Sequence, residues 1–219
     1  TGLPGKVVAA AVAAVTLTAV LAALVGLRWK PLLRPDQRIE LSVHRYVLGH
    51  RWLFDVARLV THLGDPVVVT VLTVALAAWL WWRGRRTPAG YVAAVRIAAV
   101  VVGGGLKLLV DRRRPALDHP LAHAAGQSFP SGHALGSAAL WMAVAVLASR
   151  LRRSARIGLA VVVPVLVAAT RVVLGVHFVT DVVAGLLLGW ALALLGAHLL
   201  RVGSDASPSM APSDQVNAR

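Results

Sequence analysis

No cysteine occurs in the 219 residues, which excludes disulfides, thiolate nucleophiles and cysteine-ligated metals. Acidic residues are scarce: nine Asp and Glu stand against 23 Lys and Arg, a formal net charge of +14. Such an excess suits a nucleic-acid binder only if it lines a groove interleaved with aromatic rings. Aromatics make up just 5% of the chain, and the arginines stand in short clusters between apolar runs. That pattern excludes nucleic acid as a partner and fits membrane topology. Polar residues are themselves in short supply, since 58% of the chain is apolar and the mean hydropathy is +0.72. A soluble domain is far less apolar, so the chain belongs in a lipid bilayer.

What is present is a series of apolar runs bounded by arginines. Residues 7–27 carry no charge; as a helix they are long enough to cross about 30 Å of hydrocarbon, and too long for the roughly 7 to 15 residues of a signal-peptide core. A second span is expected at 66–82, closed at the headgroup level by Trp79, Trp81 and Trp82. The third, 91–110, contains Arg96, which can snorkel to the nearby end, and Gly103, Gly104 and Gly105, which permit close helix contact. The fourth is 131–149. The fifth, 157–174, is kinked at Pro164 and stopped at Gly175, and the sixth is 177–200.

Residues 28–65 are too interrupted by charge to span. Within them Trp52, Leu53, Val56, Leu59, Val60 and Leu63 recur at helical spacing, which predicts an amphipathic helix lying in the interface. It reads first as a packing helix and second as a lateral gate for lipid. His44, His50 and His62 are expected at the interface. His119 and His123 flank Pro120, which argues for an exposed loop over a metal pair. Residues 203–219 read as a disordered tail. The expected architecture is all-α: one polytopic domain over residues 1–202, a six-transmembrane-helix bundle with an interfacial amphipathic helix between spans one and two.

Six spans place both termini on one side, together with loops 83–90 and 150–156, which carry seven arginines. By the positive-inside rule that side is cytoplasmic. Arg112, Arg113 and Arg114 then form a dense basic cluster on the opposite side, where phosphate binding supplies a reason for them.

Three motifs stand at span ends. In PSGH, 130–133, Pro130 suits the first helical position, so the N–H groups of Ser131, Gly132 and His133 should point out of the helix as an anion site, with His133 able to touch the anion. In KLLVDRRRP, 107–115, Lys107 and Arg114 are seven apart and share one side of a continuing helix, which Pro115 ends. In TRVVLGVHFVTD, 170–181, His177 and Asp181 share a helix face at i, i+4. If Asp181 accepts a hydrogen bond from one imidazole nitrogen, the other keeps a free lone pair and is a nucleophile.

Together these stretches resemble the signature motifs of the type 2 phosphatidic acid phosphatase superfamily, which also contains the vanadium haloperoxidases: Lys-x6-Arg-Pro, Pro-Ser-Gly-His and Ser-Arg-x5-His-x3-Asp. Thr170 replaces the usual serine but keeps its hydroxyl, and the resemblance covers residues 107–181. It implies that Lys107, Arg114, Ser131, Gly132 and Arg171 bind the substrate phosphate. It also implies that His177, paired with Asp181, attacks phosphorus to give a phosphohistidine, while His133 protonates the departing oxygen and then deprotonates water. No metal or other cofactor is required, because the cations neutralise the charge on the transferring phosphoryl group.

The implied protein is a multi-pass phosphatase of the cell membrane, with the bilayer and a lipid phosphate as its partners and its active site on the extracytoplasmic face. Isoprenoid diphosphate, phosphatidylglycerophosphate and phosphatidate are the candidate substrates. A lipid phosphotransferase using the same intermediate, and a non-enzymatic membrane transporter with midplane histidines and arginines, are the alternatives. Haloperoxidases are typically soluble, which sets that branch aside.

Overall fold

The computed structural model describes residues 3–117, 122, 124–200 and 202. The expectations for His119, His123 and residues 203–219 lie outside these residues. All regular structure among the described residues is helical. Helix α1 (Leu3–Gly26) leads to α2 (Lys30–Leu48) and α3 (Arg51–Val60), and a 3₁₀ turn (Thr61–Gly64) precedes α4 (Pro66–Trp82). Helix α5 (Arg86–Val110) is followed by a loop and α6 (Gly132–Leu147). Then come α7 (Arg153–Ile157), a π-helical turn (Gly158–Val162), α8 (Val163–Val173) and α9 (Val179–Leu199).

Among the described residues five stretches are long and apolar enough to cross a membrane: Gly5–Gly26, Arg51–Trp82, Arg86–Val110, Arg153–Val173 and Val179–Leu199. Large apolar side chains on them face outward, among them Val67, Val71 and Val74 of α4 and Ile97, Val100 and Val101 of α5. That is the reverse of a soluble bundle and the arrangement expected when lipid is the solvent. Helix α6 is the short apolar one, with 16 residues, and its buried positions are mostly small: Ala134, Gly136, Ser137, Ala138, Ala139, Ala143 and Ala145.

Small residues let α9 close on α6. A Cβ added at Gly185 would stand 2.7 Å from the Ser131 carbonyl oxygen, and one at Gly189 would meet Ala138 Cβ at 2.7 Å. The glycine pair, four apart on α9, is the small-xxx-small device of membrane helices. Of the glycines singled out on α5, only Gly103 makes such a contact, toward Leu135, whereas Gly104 and Gly105 face open space. Pro164 shapes the fifth stretch as its chemistry dictates. It cannot donate to the carbonyl four residues back; a π-helical turn precedes it, and the Ala160 carbonyl accepts from Trp190 Nε1 at 2.8 Å. Arg96 does not snorkel freely: Nη2 donates to Thr70 Oγ1 at 2.6 Å and to the Pro66 carbonyl at 3.2 Å, tying α5 to the first turn of α4.

Residues 28–65 contain one helix more than their charge suggested. Helix α2 buries Asp36, Glu40, His44 and Val47, the first three an i, i+4, i+8 stripe of polar groups. His44 is therefore buried against protein. The amphipathic helix is present as α3. Its Ala57 and Phe54 pack against Leu174 and Val176, while Trp52, Val56 and Leu59 are exposed.

The end of α8 aims the chain at the site. Gly175 lies at φ +69, its N–H bonds to the Val172 carbonyl, and the Val176 N–H bonds to the Arg171 carbonyl. This is a Schellman stop, which needs a left-handed residue after the cap. A Cβ at Gly175 would also meet Leu117 Cδ1 at 2.6 Å. Gly175→Ala is expected to cost about 1–2 kcal/mol for the left-handed backbone alone. It should lower the thermal midpoint and, by displacing His177 two residues on, reduce turnover more than it reduces substrate binding. A variant with wild-type midpoint and turnover would refute this role for the turn.

Candidate active site

Side-chain contacts gather the start of α4, the loop after α5, the start of α6, the end of α8 and the start of α9 at one end of the bundle. Each carries a group named by the motifs or adjoining them. Helix α6 starts two residues later than a first helical position at Pro130 would place it: Ser131 is its N-cap and Gly132 its first residue. Pro130 precedes the cap. The Ser131 N–H is not free, since it donates to the Asp181 carbonyl at 2.9 Å. The helix end therefore presents the N–H groups of Gly132, His133 and Ala134, which have no acceptor within the first turn. Ser131 Oγ is buried and has no partner among the described residues.

The first motif is not one helix face. Helix α5 stops at Val110, and Asp111 turns the chain through a left-handed φ of 43, so Arg114 reaches the site from a loop. Lys107 Nζ donates to the Gln127 carbonyl at 2.8 Å. Arg114 donates through Nε to Gly126 O at 3.0 Å, through Nη2 to Ala125 O at 3.0 Å and through Nη1 to Val176 O at 2.8 Å. Its Nη1 is also 3.0 Å from His177 Nε2. Carbonyl partners hold these cations in place without cancelling their charge. Burial pulls the Arg114 guanidinium below its ordinary value, with the Asp181 charge opposing.

Arg171 is buried, Nη1 donating to Thr61 Oγ1 at 2.9 Å, while Nε has no partner among the described residues. The Thr170 hydroxyl donates to the Val167 carbonyl at 2.6 Å, inside its own helix, and adds nothing to the site.

His177 is 2% exposed, and Nδ1 lies 3.4 Å from Asp181 Oδ2. The same carboxylate oxygen accepts the Phe178 N–H at 3.0 Å, so Asp181 both caps α9 and faces the ring. Burial pushes the His177 imidazole down to about 4; the Asp181 hydrogen bond and charge oppose the shift, and Arg114 and Arg171 add to it. The ring is neutral at neutral pH. With Nδ1–H toward Asp181, the Nε2 lone pair faces Arg114.

His133 Nε2 is 3.9 Å from Asp65 Oδ2. Asp65 and Thr61 were not among the sequence candidates. For Asp65 a signal existed, an Asp-Pro pair before an apolar run, which reads as an N-cap; its Oδ1 accepts from Val67 N at 2.8 Å and Val68 N at 3.3 Å. Nothing in the sequence pointed to Thr61. Arg112 and Arg113 go the other way: Arg112 is occupied by carboxylates and Arg113 is exposed, so neither joins Arg114 beside His177. His133, His177, Asp181, Lys107, Arg114, Ser131, Gly132 and Arg171 are all brought to this end of the bundle.

Comparison with known proteins gives the same family from three directions. The sequence pattern of the PAP2 superfamily matches residues 87–202. Phosphatidylglycerophosphatase B of Bacillus subtilis is 33% identical over 71% of this chain and 79% of its own length. The decaprenylphosphoryl-5-phosphoribose phosphatase of Mycobacterium tuberculosis is 30% identical over 78% of this chain and 92% of its own. The crystal structure of a transmembrane PAP2-type phosphatidylglycerolphosphate phosphatase from Bacillus subtilis superposes with a TM-score of 0.75 at 28% identity, covering 86% of this chain and 94% of that one. With its motifs gathered at one end of an apolar helical bundle, this chain belongs to the PAP2 superfamily as one of its membrane lipid phosphatases.

Proposed function

We propose that the chain hydrolyses a phosphomonoester at the end of a lipid headgroup through a phosphohistidine on His177. The observation that carries this is the setting of His177: a buried neutral ring with one nitrogen on Asp181 and the other 3.0 Å from Arg114 Nη1. The Nε2 lone pair forms the bond to phosphorus as the bond to the leaving oxygen breaks. Arg114, Lys107, Arg171, the Ser131 hydroxyl and the N-terminus of α6 surround the equatorial oxygens, where charge develops. His133, whose Nε2 lies 3.9 Å from the Asp65 carboxylate, gives its proton to the leaving oxygen. It then takes a proton from water, whose oxygen displaces His177 from phosphorus and releases phosphate.

The substrate class is supported by the two curated relatives above, whose names describe a phosphomonoester on a polyol that a second phosphate links to lipid. A cavity of about 710 Å³ beside Arg114, lined also by Arg28, Gln37, Glu40 and Phe178, gives such a headgroup room. The bilayer arrangement follows from the same reading. Helix α6 joins the five longer stretches as a sixth span; of the stretch Arg51–Trp82 only α4 crosses, while α3 lies in the interface with its Trp52, Val56 and Leu59 stripe toward lipid.

Rapid quench with labelled phosphatidylglycerophosphate should trap an acid-labile, base-stable phosphoenzyme that is absent from His177→Ala. Wild-type trapping in that variant would remove His177 as the nucleophile. In a panel of purified lipids, phosphatidylglycerophosphate should exceed phosphatidate and undecaprenyl diphosphate in kcat/KM; a preference for the diphosphate would overturn the headgroup assignment.

Because the folded His177 titrates near 4, lowering pH from about 8 to about 5 leaves the nucleophile unprotonated, where an ordinary imidazole would have gained a proton near 6.5. The ¹⁵N signals of His177, assigned by their absence from His177→Ala, should stay those of a neutral ring down to about pH 5. A titration midpoint above 6 would contradict the buried setting.

The pocket should open on the extracytoplasmic face, since the seven arginines of residues 83–90 and 150–156 stand at the opposite end of the bundle, in the short turns and the helix ends beside them, and short loops obey the positive-inside rule. In a chain without native cysteine, Ala116→Cys should react with an impermeant thiol reagent in intact cells, and Arg153→Cys only after lysis. The reverse pattern would place the site in the cytoplasm.

A further inference from the structure

Arg112 stands two residues before Arg114, yet its surroundings are those of a cation already spoken for. Nη1 donates to Asp181 Oδ1 at 2.7 Å and to Thr180 Oγ1 at 2.6 Å, and Nη2 donates to Asp36 Oδ2 at 2.7 Å. The guanidinium carbon lies 4.0 Å from the centre of the Phe178 ring. The Arg112 side chain is 9% exposed, that of Asp36 2% and that of Asp181 0%. Asp36 comes from α2, outside the three motifs, and its Oδ1 also accepts the Thr180 N–H at 3.1 Å. Two carboxylates on one guanidinium leave no net positive charge to offer a phosphate. What the arrangement does offer is direction, because an arginine fork fixes both the position and the plane of a carboxylate.

We propose that Arg112, anchored by Asp36, is a positioning residue for phosphoryl transfer: it fixes the Asp181 carboxylate and, through it, the His177 ring. The division of labour on Asp181 supports this. Oδ1 is taken by Arg112, while Oδ2 faces the Phe178 N–H and His177 Nδ1. Because different elements claim the two oxygens, the carboxylate cannot rotate without breaking a charge-assisted bond. The Nδ1–H tautomer is thereby held, and Nε2 stays aimed at phosphorus. Without the clamp, Oδ1 loses its charged partner and the carboxylate is free to swing away from the ring. A misplacement of about 1 Å at a reacting group costs on the order of 100-fold in rate. Partners that orient a metal-bound histidine from behind typically cost about 10- to 100-fold when removed, and a nucleophilic histidine is held by the same kind of contact. Through Asp36, which reaches His177 only by way of Arg112 and Asp181, helix α2 thus becomes part of the catalytic apparatus.

This inference rests on His177 as the nucleophile, and its test separates the two. In the purified full-length chain, single-turnover phosphoenzyme formation and the inhibition constant for vanadate, a phosphate mimic, are measured for wild type, Arg112→Lys, Arg112→Ala and Asp36→Asn. Arg112→Lys keeps the charge but loses the fork. It and Asp36→Asn should each slow phosphoenzyme formation about 10- to 100-fold while vanadate inhibition stays within about threefold of wild type. Preserved vanadate binding also certifies the fold of each variant. Added guanidinium should restore part of the rate to Arg112→Ala. The double variant Arg112→Lys with Asp36→Asn should be no slower than the worse single one, because both break the same clamp.

A tenfold or greater weakening of vanadate in Arg112→Lys would make Arg112 a phosphate ligand and overturn the proposal. So would wild-type phosphoenzyme formation in Asp36→Asn, or equal losses of rate and vanadate binding without guanidinium rescue. Phosphoenzyme that persists in His177→Ala would instead overturn the nucleophile assignment beneath it.

Discussion

The arrangement of this site depends on Asp181. Its carbonyl accepts the Ser131 N–H, its Oδ1 accepts from Arg112, and its Oδ2 accepts the Phe178 N–H and faces His177 Nδ1. One residue on the first turn of α9 therefore joins the start of α6, the loop after α5 and the histidine between α8 and α9. A carboxylate so deeply buried is tolerable only when it is paired and hydrogen-bonded, and here each oxygen has a partner. The constraint works in both directions. Through its carbonyl and its carboxylate together, the residue orders three chain segments that no single helix could bring together, and Arg112 and the Phe178 N–H in turn leave the carboxylate one orientation.

The cations divide by the kind of oxygen that holds them. Lys107 and Arg114 are held by main-chain carbonyls, dipoles that fix a cation while leaving its charge to act on a ligand. Arg112 is held by two carboxylates, which use up its charge. Among the described residues Arg171 keeps an unpartnered Nε, and Ser131, at the mouth of α6, keeps an unpartnered hydroxyl. Unsatisfied buried polar groups are costly in a finished structure. In the proposed reaction the anion's oxygens complete both. Preorganised donors of this kind stabilise developing charge without reorganising as the reaction proceeds.

Most spans were legible because the bilayer imposes a length and an apolar composition that few other contexts require. The bounds 66–82 coincide with α4, where a proline opens the helix and tryptophans close it. Helix α2 was not legible, for a physical reason: its buried stripe is Asp36, Glu40 and His44 while Ile39, Leu41 and Leu48 are exposed. A pattern search that equates apolar with buried reads that helix inside out. The site residues themselves were legible as types at motif spacing, but their partners were not. Thr61 stands 110 positions from Arg171, and Asp36 stands 76 positions from Arg112, through which it reaches Asp181. Contacts at such separations leave no periodic trace in a sequence.

The packing of α6 against α9 explains why the chemistry sits where it does. His133 belongs to the first turn of α6, and His177 stands two residues before α9 begins. The separation of the two histidines is thus set by how closely the two helices approach. Gly185 and Gly189 bring the α9 backbone against the Ser131 and Leu135 carbonyls, closer than any side chain would allow. In lipid that approach gains dispersion contacts and no hydrophobic free energy, because the tails outside are as apolar as the helices. The two glycines therefore do for the site what a large apolar core does in a soluble enzyme: they hold two helix ends at a fixed distance. In the proposed arrangement the polar ends lie beside the headgroup layer and the apolar flanks in hydrocarbon, so that a lipid phosphate would meet the site without withdrawing its tails from the bilayer.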